Sequence, residues 1–143
     1  MPISREEVEE GTLLQLDFDK IRSIGASGRP LVPVVLQNAE TKDVLYVAYT
    51  NKEAFDLTMK QKHVFLFSTS RDELWEKGAT SGDFLELVEA RVNCEQNSLL
   101  YLVKPRNAGV CHTKNQQAEN RPGCYYRKVF NGQLKFVDFH AKS

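Results

Sequence analysis

The sequence has few cysteines, no excess of charge of either sign and no long apolar run, and each feature excludes a class of protein. Its 143 residues carry 19 Lys and Arg against 19 Asp and Glu. Proteins that hold nucleic acid by its phosphates usually show a basic excess, because they displace counterions. Binding of a nucleic acid polymer is therefore disfavoured, whereas a small anionic ligand held by two or three cations remains compatible. No apolar run approaches the roughly 20 residues that cross a bilayer, so no membrane segment is predicted.

The cysteines are three, an odd and small number that does not suit a disulfide framework. The acidic start MPISREEVEE lacks the apolar core of a secretory signal. These features favour a reducing compartment, and we predict a cytoplasmic protein. Hydrophobic residues make up 41% of the chain, enough for one core at this length. A single domain over residues 1–143 is therefore predicted, with an N-terminal extension of about residues 1–29.

Apolar runs rich in β-branched and aromatic residues, separated by polar turn residues, predict about seven strands, and one stretch with apolar residues at helical spacing predicts one clear helix. Strands are predicted at residues 31–37, 44–49, 64–68, 85–92 and 98–103, followed by a hairpin around Asn131-Gly132. Pro33 predicts that the first strand lies at a sheet edge there. The clear helix begins after Asn51 and places one apolar face at Ala54, Phe55, Thr58 and Met59. A short helix around residues 6–14 and a linker over residues 23–30 complete an α+β domain, mostly antiparallel, with a half-barrel-like sheet and a capping helix.

The cysteines at positions 94, 111 and 124 form no CxxC pair. Packing, nucleophilic and metal-binding roles are all open on spacing alone, but none of the three lies inside an apolar run, where a packing cysteine belongs. Three thiolates that leave a fourth position open are typical of a catalytic zinc. His112 can supply a ring nitrogen as the fourth ligand or act as a base beside the ion. A nucleophilic Cys111 needs a histidine from elsewhere in the fold, and no other histidine stands in a recognisable signature.

A second polar constellation is STSRDELWEKGATSG, residues 68–82. Its composition suits a phosphorylated nucleotide, because Arg71 and Lys77 can pair with phosphate and Trp75 can cover a planar base. An ordinary surface loop with one anchoring tryptophan is the alternative, and composition leaves both open.

The order of the segments LVPVVLQNAETKDVLYVAYTNKEAF, FSTSRDELWEKGATSG, VNCEQNSLLYLV, GVCHT and CYYR resembles the phosphoribosyl-AMP cyclohydrolases of histidine biosynthesis, over roughly residues 30–130. The resemblance implies zinc-dependent hydrolysis of the N1–C6 bond of the adenine ring in phosphoribosyl-AMP. It also implies an intertwined homodimer in which cysteines from both chains bind each zinc. Carried over by position, the zinc ligands are Cys94, Cys111 and Cys124, with His112 as the catalytic residue beside the metal. The implied substrate-binding residues are Ser68, Ser70, Arg71, Trp75, Lys77, Thr80 and Ser81.

The sequence departs from that family pattern at two places. The family usually shows an Asp-Cys-Asp-x-Asp run whose aspartates bind magnesium, and here the run is Asn93-Cys94-Glu95-Gln96-Asn97. Magnesium prefers charged oxygens in tight octahedral geometry, so its binding is doubtful and Glu95 is only a weak second-metal candidate. About six extra residues, around 116–121, also separate the last two cysteines, which costs little closure entropy. These departures leave open a diverged paralogue acting on another purine-like nucleotide or ring, or a non-catalytic, zinc-containing nucleotide-binding dimer.

Overall fold

A computed structural model describes residues 4–78, 82, 84–106 and 110–137. The elements within these ranges are, in chain order, α1 (Arg5–Glu10), α2 (Lys20–Ala26), β1 (Val32–Asn38), β2 (Val44–Thr50), α3 (Lys52–Gln61), β3 (Phe65–Ser68), β4 (Glu73–Glu76), β5 (Leu85–Val92), β6 (Leu99–Pro105), β7 (Arg127–Phe130) and β8 (Gln133–Phe136). The predicted α+β class with mostly antiparallel strands is confirmed. None of the helices in the described ranges combines the length and the apolar character that a membrane crossing requires. The chain divides into two compact units, residues 29–124 and residues 1–28 with 125–143.

The unit of residues 29–124 is built on a four-stranded sheet with the order β2-β1-β6-β5. β1 runs antiparallel to β2 and parallel to β6, and β5 runs antiparallel to β6. β1 as a whole lies inside the sheet, between β2 and β6. Pairing with β6 begins only at Val34, however, so Pro33 pairs on one side, with Tyr49, and its missing N–H breaks no second ladder.

The core of this unit lies between the four-stranded sheet, α3 and the β3–β4 hairpin. Its buried residues are Val34, Leu36, Leu45, Val64, Leu66, Leu85, Tyr101, Val103 and Val110. The predicted apolar face of α3 is confirmed, since Ala54 and Thr58 are buried and Phe55 and Met59 pack against the core. Asn51 begins the helix by accepting a hydrogen bond from the Ala54 N–H at 2.9 Å. The Thr58 hydroxyl accepts from the Phe65 N–H at 2.9 Å, which ties α3 to β3.

Strand β4 lies in the stretch that composition describes as a loop. Its residues pair with β3 from Phe65↔Glu76 to Ser68↔Glu73. The sequence Glu73-Leu74-Trp75-Glu76 places its two apolar residues side by side, so this short strand lacks the alternation that predicts one, although exposure does alternate along it in the structure. Residues 68–76 of the polar segment therefore belong to a hairpin with a tight turn.

The unit of residues 1–28 and 125–143 joins the N-terminal segment to the β7–β8 hairpin. The predicted hairpin is confirmed, with Asn131 and Gly132 at φ 51° and 75°. α1 ends at Glu10, earlier than predicted, and a side chain from the hairpin binds carbonyls at this end. The Arg127 guanidinium donates to Gly11 O at 2.8 Å and to Val8 O at 2.7 Å.

Helix α2 extends into the predicted linker, so the linker prediction is wrong for residues 23–26. The Ser27 N–H donates to Ser23 O at 3.1 Å and its hydroxyl donates to Ile24 O at 2.6 Å, which closes the last turn. Gly28 follows at φ 71°, a conformation that ends a helix. The local hydrogen bonds of Ser27 thus offset the low helix propensity of Gly25.

Candidate functional site

Two of the three cysteines lie side by side. The Cys124 thiol donates to Cys111 Sγ at an S–S distance of 3.6 Å, and neither residue is in a disulfide. The Cys124 N–H donates to Leu45 O at 2.7 Å, which fixes it beside the start of β2. The Cys111 N–H donates to Arg121 O at 2.8 Å. Two thiolates on one tetrahedral zinc, with Zn–S of about 2.3 Å, lie about 3.8 Å apart, so the pair fits two ligands of one zinc ion.

The extra residues between these cysteines fold back on themselves. The Arg121 N–H donates to Thr113 O at 2.9 Å, and the Asn120 side chain donates to Cys111 O at 3.1 Å. At the tip, the Asn115 side-chain oxygen accepts from the N–H groups of Gln117 and Glu119 at 2.9 and 3.0 Å. The insertion is thus closed by its own hydrogen bonds, and it brings the two thiols together across twelve intervening residues.

The surroundings of Cys111 favour its thiolate form. The hydrogen bond from Cys124 lowers the pKa of the Cys111 thiol to about 5, against the opposing effect of burial, with smaller contributions from Thr113 and the nearby His112. Thr113 Oγ1 lies 3.1 Å from Cys111 Sγ. Because thiolates rather than thiols bind metals, Cys111 is prepared as a ligand at neutral pH.

Tyr46 was not among the predicted site residues, yet its hydroxyl lies near the cysteine pair. This hydroxyl is buried and has no hydrogen-bond partner among the described residues. Burial raises the pKa of Tyr46, and negative charge on Cys124 and Cys111 raises it further. The only signal in the sequence is a tyrosine within the apolar run VLYVAY, which packing alone explains.

We expect Tyr46→Phe to stabilise the metal-free, reduced protein by about 1 kcal/mol, because it removes a buried hydroxyl that is not hydrogen-bonded. Chemical denaturation measures the change in the free energy of unfolding. The matched control is Tyr126→Phe, whose lost hydroxyl donates to Glu9 O at 2.8 Å, and which should destabilise by about 1 kcal/mol. Equal losses in both variants would contradict the description of the Tyr46 hydroxyl as unpaired.

Cys94 lies at the opposite end of the four-stranded sheet from this pair. It follows β5, whose last residue Val92 pairs with Leu99, and Leu99 in turn pairs with Val34. Cys124 instead contacts Leu45, at the end where β1 finishes. The part of β1 between Val34 and the end beside Leu45 is three residues long, and at about 3.3 Å per residue it spans about 10 Å. Within the described ranges, no three His, Cys, Asp or Glu side chains come together in a group that could hold a metal ion.

The turn that carries Cys94 does not fit a magnesium site. Asn93 and Asn97 use their side-chain amides to hydrogen-bond each other, with an N–O distance of 2.6 Å. Glu95 is exposed and is the one carboxylate in the run from 93 to 97. Magnesium prefers several charged oxygens around it, which this turn does not supply.

A cleft of about 310 Å³ lies at the Cys94 end of the sheet. It is lined by the apolar residues Pro30, Val32, Phe55, Val92 and Leu99 and by the polar residues Thr50, Asn51, Lys52, Gln96 and Ser98. Its volume is at the lower end of the range for small-molecule sites.

The predicted substrate segment falls into two parts. Ser68, Ser70 and Arg71 form the turn of the β3–β4 hairpin, where Ser68 Oγ accepts from the Arg71 N–H at 3.2 Å and lies 3.3 Å from Ser70 Oγ. Trp75 and Lys77 lie towards the other end of β4, with the Lys77 ammonium 5.8 Å from the Trp75 ring centroid. Arg71 and His112 are exposed. Thr80 and Ser81 lie outside the described residues.

Comparisons with known proteins identify a family whose sequence pattern includes the candidate site. The sequence model of the family described as "Phosphoribosyl-AMP cyclohydrolase" matches residues 46–126. The chain belongs to the phosphoribosyl-AMP cyclohydrolase family. Relatives named phosphoribosyl-AMP cyclohydrolase include one from Rhodopseudomonas palustris (strain TIE-1), 37% identical over 92% of this chain and 78% of that protein. One from Archaeoglobus fulgidus is 37% identical over 85% of this chain and 99% of that protein, and one from Caulobacter vibrioides (strain NA1000 / CB15N) is 39% identical over 92% and 85%.

The matched cyclohydrolase segment holds every predicted site residue, from Ser68 to Cys124, together with Tyr46 at its first position. β1 and the β7–β8 hairpin lie outside it. Membership of the cyclohydrolase family therefore concerns the part of the chain that carries the candidate site.

Proposed function

We propose that this protein is a zinc-dependent phosphoribosyl-AMP cyclohydrolase of histidine biosynthesis, which hydrolyses the N1–C6 bond of the adenine ring. One observation carries the proposal. Within the segment that matches the family, Cys111 and Cys124 lie 3.6 Å apart, a separation that suits two thiolates on one zinc. A bound zinc ion supplies Lewis acidity, which in catalytic sites lowers the pKa of water to about 7.

The third ligand in this proposal is Cys94 of a second copy of the chain. Its own Cys94 is at the far end of the sheet, so a three-thiolate site needs another chain. Apolar side chains exposed on both edge strands of the sheet support a homodimer, because large exposed apolar areas are typical of association surfaces. They are Val44 and Val47 on β2, and Val88 and Val92 on β5.

The remaining residues have roles that follow from their chemistry. In the reaction, the oxygen of water bonds to C6, the N1–C6 bond breaks and N1 takes up a proton. His112, exposed and next to Cys111, is assigned this proton transfer. Arg71 and Lys77 are assigned to phosphate, with the hydroxyls of Ser68 and Ser70 beside them, because a guanidinium and an ammonium pair well with phosphate oxygens. Trp75 is assigned to stacking on the adenine base. The base would then compete with Lys77 for the face of the Trp75 ring.

The test is turnover of phosphoribosyl-AMP by purified protein, followed by the absorbance of the ring-opened imidazole product. Protein stripped of metal should be inactive and should regain activity on addition of zinc. An absence of turnover in zinc-loaded protein would contradict the proposal.

The paired amides Asn93 and Asn97 favour a second candidate, since they replace acidic residues of the family pattern. In this alternative the protein is a paralogue acting on another purine-like nucleotide, or a zinc-containing dimer that binds a nucleotide without turnover. Tight nucleotide binding and bound zinc without ring opening of phosphoribosyl-AMP would support it.

A further inference from the structure

The turn from Asn93 to Ser98 is closed by side-chain amides. The Asn93 side-chain oxygen accepts from the N–H groups of Asn97 and Ser98, both at 2.9 Å. The Asn93 side-chain nitrogen donates to the Asn97 side-chain oxygen at 2.6 Å. The Gln96 N–H donates to Asn93 O at 3.0 Å, and Gln96 adopts φ 56°. Cys94 is thus held on a turn whose two ends are joined through Asn93.

These contacts use the oxygens that a cation would need. Asn93 Oδ1 already has two N–H donors, and Asn97 Oδ1 has the Asn93 amide. An amide nitrogen donates and does not bind a hard cation, so the Asn93–Asn97 contact excludes a metal from the space between them.

We propose that the Asn93–Asn97 hydrogen bond, here called the amide clip, replaces a divalent cation in setting the Cys94 turn. Two carboxylates at these positions both accept hydrogen bonds and neither donates, so at this distance they repel unless a cation lies between them. Two amides instead bond each other directly. The turn is therefore set without magnesium, and Cys94 is positioned by neutral groups. Its relevance to Cys94 as a zinc ligand rests on the proposed function, whereas the independence from magnesium does not.

The two single acidic variants and the double variant separate these effects. In Asn97→Asp the Asn93 amide still donates to a carboxylate, and in Asn93→Asp the Asn97 amide can turn to donate. Only the double variant has no donor on either side. Asn97→Ala also breaks the clip, but adds no charge.

The experiment measures the melting temperature at fixed zinc, with magnesium chloride or sodium chloride at equal ionic strength, and the heat of magnesium binding by titration calorimetry. We expect the wild type and both single variants to show no saturable magnesium binding and no magnesium-dependent shift. The double variant should melt roughly 5 °C lower without magnesium and recover when it is added. Asn97→Ala should melt lower in both salts. The control Asn38→Asp changes an amide that accepts from the Glu40 and Thr41 N–H groups, and should not respond to magnesium.

Saturable magnesium binding by the wild type, with a matching rise in its melting temperature, would overturn the proposal even if the double variant failed to fold. A double variant with the same melting temperature as the single variants in sodium chloride would also overturn it. Zinc affinity tests the link to Cys94. It should fall about 10- to 100-fold in the double variant and return with magnesium, as expected for a residue that orients a ligand. An unchanged zinc affinity would overturn the positioning of Cys94 while leaving the cyclohydrolase assay of the wild type unaffected.

Discussion

Cys111→Ser is expected to lower the turnover of phosphoribosyl-AMP by more than about 100-fold. Loss of a residue that only supports a metal ligand costs up to about 100-fold, and loss of the ligand itself should cost more. A serine hydroxyl does not ionise near neutral pH, so it cannot replace a thiolate whose pKa lies at about 5. The substitution also replaces the sulfur that accepts from the Cys124 thiol with an oxygen on a shorter bond. Zinc content per chain after dialysis, measured by mass spectrometry, should fall together with turnover.

The control for this variant is Met59→Leu, which removes a sulfur atom from an α3 residue that packs against the core. It should retain zinc and activity. Because Cys111 is buried, the melting temperature of Cys111→Ser shows whether the chain still folds. A folded Cys111→Ser protein with full zinc content would show that the cysteine pair is not part of the metal site.

The fold was predictable where a local pattern decides the structure. The α3 face, the Asn51 cap and the Asn131-Gly132 turn each depend on a few neighbouring residues, and each was found from the sequence. The interior position of β1 was not, because the order of strands depends on contacts between distant segments. α2 and β4 were missed since both are short and lie in polar stretches, where hydrogen bonds such as those of Ser27 decide the outcome.

The candidate site divides in the same way. The cysteine and histidine types were readable from the sequence, and so was the loss of the acidic run around Cys94. The residue types did not predict how the cysteines are distributed over the sheet, with two thiols at one end and one at the other. Tyr46 and Thr113 were also missed, because a tyrosine in a strand and a threonine in a loop have ordinary structural roles in most proteins.

The separation of Cys94 from the Cys111–Cys124 pair leads to the second large expected effect. If each zinc takes Cys94 from one chain and the pair from the other, Cys94→Ser and Cys111→Ser chains should each be inactive alone but complement each other. Their heterodimer has one complete site, made from the intact Cys94 of one chain and the intact pair of the other. We expect about half of the wild-type turnover per dimer, since a two-fold dimer has two equivalent sites. Co-expression with two different affinity tags and sequential purification isolates this heterodimer for the assay.

The reciprocal heterodimer makes the result decisive. A wild-type chain paired with a Cys94→Ser, Cys111→Ser chain contains the same number of cysteines as the first heterodimer. If the ligands come from two chains, both of its sites lack a thiolate and it should be inactive. If all three ligands came from one chain, its wild-type chain would keep a complete site with about half of the turnover, and the first heterodimer would be inactive instead. The two arrangements thus predict opposite activities for the same pair of proteins, so the position of Cys94 at the far end of the sheet becomes a measurable difference in catalysis.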